Sequence, residues 1–82
     1  MLHVLVIYDI SDDRIRTKVA DMCLNYGLDR VQNSAFVGQL PRGLQEELML
    51  RIEKLLGSET GIVQLIAVNP KDWANRIEVC NA

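Results

Sequence analysis

Leu2-His3-Val4-Leu5-Val6-Ile7-Tyr8-Asp9-Ile10 is the stretch on which the fold turns. It is dense in β-branched and aromatic residues and too short for a typical helix, so it reads as a central β-strand buried on both faces. Strand alternation puts Leu5, Ile7 and Asp9 on one face and Val4, Val6, Tyr8 and Ile10 on the other. Both faces are apolar until Tyr8-Asp9, where the strand ends on a carboxylate.

Working outward, Ser11, Asp12 and Asp13 supply N-cap and first-turn residues for a helix whose apolar positions are Ile15, Val19, Met22, Cys23 and Tyr26. Gly27 ends it, as glycine commonly does at the left-handed position after a helix. Arg30 to Leu40 alternates again, Val31, Ala35 and Val37 against Gln32, Ser34 and Phe36. This is polar β structure, either one bent strand or two short paired strands, because Asn33-Ser34 is a weak turn signal and Gly38 suits a bulge. Pro41-Arg42-Gly43 breaks the chain before a second amphipathic helix on Leu44, Leu48, Ile52, Leu55 and Leu56, ended by Gly57. Ile62 to Val68 reads as another buried strand, Asn69-Pro70 as a turn, Trp73 as a packing lid in the following loop, and Arg76 to Cys80 as a short C-terminal strand.

Two βα units that bracket a hairpin indicate an α+β, ferredoxin-like (split βαβ) sandwich, with two helices on one face of an antiparallel sheet. With 82 residues, residues 1–82 are expected to form a single domain whose core alone gives modest stability. Helices on one side leave the other sheet face open, and the apolar Leu5 and Ile7 there call for a cover, most simply the same face of a second copy.

The chain is 49% apolar and 24% charged, which excludes disordered and low-complexity classes. Its net charge of −2 argues against non-specific nucleic-acid binding unless the cations cluster. Cys23 and Cys80 match no disulfide framework and no zinc or redox spacing. There is no basic leader, and the uncharged run from Gly61 is too short to cross a bilayer. A soluble cytoplasmic protein, with no membrane partner, is expected.

For chemistry, Asp9 stands out, because an acid ending an apolar strand costs free energy unless something pairs with it. It either caps the following helix or takes a hydrogen bond from Ser11, or it is a hard oxygen ligand for Mg²⁺, a metal that needs only one or two carboxylates. In a two-fold dimer, one Asp9 per chain becomes a pair able to share one ion against a phosphate. Arg14, Arg16, Lys18, Arg30 and Arg42 put five of the nine cations in the first 42 residues, balanced by five acids. They are phosphate-binding candidates, although spacing alone favours a solvated helix face. Gln32, Ser34 and Phe36 suit a nucleic-acid platform or, more simply, a polar dimer seam. His3 has no ligand partner nearby and reads as a core or edge histidine. No nucleophile triad and no glycine-rich phosphate loop is present.

Tyr8-Asp9-Ile10-Ser11-Asp12-Asp13, then Arg16 and Lys18, then Tyr26-Gly27-Leu28-Asp29-Arg30-Val31-Gln32-Asn33-Ser34-Ala35-Phe36-Val37-Gly38-Gln39-Leu40 together resemble the small CRISPR-associated endonuclease family, the second of the two universal spacer-acquisition proteins. The resemblance covers about two-thirds of the chain, and the Arg-Val-Gln-x-Ser-x-Phe-x-Gly string is its specific part. It implies a ferredoxin-like homodimer in which Asp9 lies near the dimer axis and binds a divalent metal, usually Mg²⁺. Tyr8, Arg16, Lys18, Arg30 and Phe36 are then assisting or binding residues by position. Members are described as metal-dependent endonucleases on RNA or DNA, and also as the non-catalytic centre of the CRISPR integrase complex. Both roles are therefore expectations here, with a toxin-type ribonuclease of the same fold as a third. This chain has Val37 where many members carry an acid, and it stops soon after its last expected strand, so pairing of the tail across the dimer is expected to be abbreviated.

Overall fold

The computed structural model describes residues 3–81, in the order β1 (His3–Ile10), α1 (Asp13–Asn25), β2 (Asp29–Gln32), β3 (Ala35–Gln39), α2 (Arg42–Leu56), β4 (Gly61–Val68) and α3 (Pro70–Ala74). Leu2, read as part of the first strand, lies outside the described residues. The strands form one sheet in the order β2-β3-β1-β4, and every neighbouring pair is antiparallel. This is the α+β, ferredoxin-like arrangement.

The alternation of β1 decides what each face does. Val4, Val6, Tyr8 and Ile10 are buried under the helices, where they meet Val19 and Cys23 of α1 and Leu48 and Ile52 of α2. Their neighbours Leu5 and Ile7 are half-buried on the helix-free face, beside Ala35 and Val37 of β3 and Ile66 and Gln64 of β4. Asp12, rather than Ser11 or Asp9, caps α1: its carboxylate accepts from the Ile15 N–H at 2.9 Å. Gly27 follows the helix at φ +82°, a conformation glycine adopts without steric cost.

Residues 29–39 form a hairpin, not one bent strand, and the turn lies at Asn33-Ser34. The register slips between Arg30 and Gln32, so Arg30 pairs with Phe36 while Gln32 pairs with Ala35. Gln32, Ser34 and Phe36 consequently share no face, and the expected polar platform does not form. Phe36 opposes Val6 and is fully buried in the core.

Four further expectations change. In α2, Leu44 is exposed and Gln45 is buried in its place, its side-chain amide donating at 2.8 Å to the carbonyl of Leu40. β4 is an edge strand rather than a fully buried one, and leaves Ile62 and Ile66 open. The C-terminal strand Arg76 to Cys80 is absent from this single chain. Pro70 starts the short α3 instead, capped by Asn69, and residues 75–81 run on without a strand partner. Ile77 and Val79 are almost fully exposed there, because an alternating segment needs an edge to pair with before it becomes a strand. Trp73 is no lid on the core: the Arg76 guanidinium lies 4.1 Å from its ring centroid.

Candidate active site

Asp9 is the last odd-numbered residue of β1, so it falls on the helix-free face, exposed and opposite Ile62 of β4. Among the described residues no hydrogen bond or ion pair reaches its carboxylate, and the capping role is filled by Asp12. Two clefts flank it. On the β4 side it adjoins Ser11, Thr60, Gly61 and Ile62. On the β3 side a polar cleft of about 510 Å³ is lined by Asp9, Ile10, Arg16, Thr17, Arg30, Asn33 and Ser34.

Local contacts fix both guanidiniums of the larger cleft. Arg16 donates to the Ile10 carbonyl at 2.9 Å and to the Asp13 carboxylate one helical turn back. Arg30 lies over the Phe36 ring, 5.1 Å from its centroid. Phe36 in turn stacks on Tyr8 at 6.3 Å, and both rings are buried. Tyr8 and Phe36 therefore offer no open face to a base: Phe36 supports Arg30, and Tyr8 supports the hairpin turn. The Tyr8 N–H donates to the Ser34 carbonyl at 3.1 Å, and its phenol donates to the Asn33 carbonyl at 3.5 Å.

A family model described as CRISPR associated protein Cas2 matches residues 1–76. The chain belongs to the Cas2 family. The CRISPR-associated endoribonuclease Cas2 2 of Chloroflexus aurantiacus is 47% identical over 75 residues, which cover 92% of this chain and 88% of that protein. The CRISPR-associated endonuclease Cas1/endonuclease Cas2 fusion of Thermoproteus tenax is 37% identical over 70 residues, 85% of this chain and 26% of the fusion. The crystal structure of Streptococcus pyogenes Cas2 at pH 6.5 superposes with a TM-score of 0.80 at 26% identity, covering 96% of this chain and 99% of that one.

Within this Cas2 fold, the residues read from the sequence separate. Asp9, Arg16 and Arg30 meet at one cleft. Arg14 and Lys18 are exposed on α1 and line neither cleft beside Asp9. Arg42 is elsewhere, on the first turn of α2, paired with Glu46 at 3.3 Å. Thr17, Asn33, Ser11 and Thr60, which carry no chemical motif in the sequence, also line the clefts. Only the β1–β3 and β1–β4 pairings bring residues 33–34 and 60–61 beside Asp9, so local sequence carries no signal for them. Cys23 is inert: burial pushes its thiol up to about 11, against a partial pull downward from Arg30. No helix among the described residues is long and apolar enough to cross a membrane.

Proposed function

We propose that this Cas2 protein acts in CRISPR adaptation in the cytoplasm as a homodimer that binds nucleic acid and hydrolyses phosphodiester bonds with the help of Mg²⁺. The observation that carries the reading is the Asp9 carboxylate, left without an internal partner beside a cleft with two positioned guanidiniums. Relatives named as endoribonucleases point the same way.

The donor set fits such an ion only as a shared site. Among the described residues no three His, Cys, Asp or Glu side chains come together, so one chain offers a single hard carboxylate with hydroxyls nearby. Two copies joined through their helix-free faces would offer two Asp9 carboxylates, which suits a metal that keeps several waters. When bound, the ion supplies charge neutralisation at the phosphate and activation of the attacking water. The protein's own part is placement: Arg16 and Arg30 hold the non-bridging oxygens and stabilise charge that builds on them, while Tyr8 and Phe36 keep the cleft in shape from below.

The apolar, half-open face of Leu5, Ile7, Ile62 and Ile66 supports the dimer. The fused relative supports a CRISPR integrase of the Cas1 type as partner. That same fusion, with one carboxylate per chain, favours a second reading: an adaptor that binds DNA and the integrase without cutting. The two separate in one assay. Wild type and Asp9→Ala are compared on single-stranded RNA and duplex DNA, with Mg²⁺ and with EDTA, and binding and cleavage are scored separately. The nuclease reading expects cleavage to vanish in Asp9→Ala and in EDTA while binding persists; cleavage by purified Asp9→Ala protein would refute it.

A further inference from the structure

The cleft beside Asp9 holds more hydrogen-bonding groups than a phosphate needs. Arg16 and Arg30 account for the anion, and Asp9 for a cation or a proton. Thr17, Asn33 and Ser34 remain. The Thr17 hydroxyl is spent locally, donating at 2.9 Å to the Asp13 carbonyl. Asn33 and Ser34 differ: both their carbonyls are tied to Tyr8, and no hydrogen bond joins either side chain to another described residue. The amide of Asn33 and the hydroxyl of Ser34 each combine donor and acceptor.

The turn is also held in register with the acid. Tyr8 grips Ser34 through its backbone and Asn33 through its phenol, and Asp9 is the next residue along the same strand. A phosphate held by Arg16 and Arg30 would thus lie in a cleft that Asn33 and Ser34 also line, with room there for its sugar. At about 510 Å³ the cleft lies within the roughly 300–1,000 Å³ of small-ligand sites, room for about one nucleotide. No aromatic ring is open in it, since Tyr8 and Phe36 are buried, so bases are not read there by stacking. Sugar and phosphate are what its chemistry recognises.

We infer that the Asn33-Ser34 turn is a sugar-reading element that binds the ribose 2′-hydroxyl of a single strand lying in the Asp9 cleft, and so sets a preference for RNA over DNA. The 2′-hydroxyl both donates and accepts, which matches the two free groups and is the atom that distinguishes the two polymers. The inference rests on the cleft being the nucleic-acid site proposed above.

The test uses the full chain as wild type, Ser34→Ala, Asn33→Ala and Asp9→Ala. Each is titrated by fluorescence anisotropy with one labelled single-stranded sequence made as RNA, as DNA and as 2′-O-methyl RNA, in EDTA; cleavage is followed separately in Mg²⁺. Wild type is expected to bind RNA more tightly than the other two. Loss of one neutral hydrogen bond should lower the RNA-to-DNA affinity ratio roughly three- to tenfold in Ser34→Ala and Asn33→Ala, with DNA affinity unchanged. A ratio that stays put in both variants, or a wild type that binds RNA and DNA alike, overturns the inference. If the ratio falls in these variants while cleavage survives in Asp9→Ala, the catalytic reading fails and the sugar-reading turn stands.

Discussion

Replacing Ile62 and Ile66 together by serine tests whether the helix-free face joins two copies. In the single chain these side chains are 55% and 43% exposed, on the strand that borders Asp9 and Leu5. Full burial of an isoleucine is worth about 1.5–3 kcal/mol, so covering the open halves of both contributes about 1.5–3 kcal/mol per chain and roughly twice that across a two-fold interface. Losing it should raise the dimer dissociation constant by about 10²- to 10⁴-fold. Sedimentation equilibrium of both proteins over a wide concentration range reads the change, and circular dichroism verifies that the variant is folded. The halves already covered in the single chain are lost as well, about 1.5–3 kcal/mol per chain by the same reckoning, so a lowered melting temperature is expected and association is compared at a temperature where both proteins are folded. A variant that dimerises as tightly as wild type would refute the argument, as would a wild type that remains monomeric.

Two other outcomes follow from the packing. In Gly38→Ala the new methyl would lie 2.7 Å from Leu28 Cδ2 and 3.3 Å from Leu28 Cα; backbone as well as side chain must shift, and a loss of about 1–3 kcal/mol is expected in urea unfolding. Cys23 is neutral in the fold and its thiol titrates near 11 instead of 9.0, so the unfolded chain releases its proton first on going to high pH. Its stabilising contribution is full below pH 9 and falls away between pH 9 and 11, a slope that Cys23→Ala should remove from alkaline unfolding curves.

Much of this architecture is written in short-range patterns. Alternation in residues 3–10 separates the core face from the open face, and Val19, Cys23, Leu48 and Ile52 fall where helical periodicity puts them. The misreadings arise where a long-range contact overrides the local pattern. Phe36 looks like a platform residue until the bulge near Val31 and the pairing with Val6 turn it into core. Leu44 looks buried until Gln45 is found closing the end of β3. Residues 76–80 alternate like a strand, yet strand formation depends on a neighbour that one chain does not supply at that position. At the site, Asp9 is legible because an acid in an apolar strand is a local anomaly. Asn33 is a polar turn residue, ordinary in sequence, and Ser34 stands out there only as a platform or seam residue; the antiparallel pairing of β1 with β3 is what places both in the cleft with Asp9.

The two cations of the cleft are held by unlike means, and this divides their labour. Arg16 shares its charge with Asp13, so part of its field is cancelled before any ligand arrives. Arg30 rests on an aromatic ring, whose quadrupole orients a guanidinium without neutralising it. A pedestal of this kind leaves a full positive charge at the surface. Of the two cations in the cleft, Arg30 is therefore the one whose charge no carboxylate of the described residues offsets by an ion pair, so in the proposed nucleic-acid site the salt dependence of binding should fall more in Arg30→Ala than in Arg16→Ala.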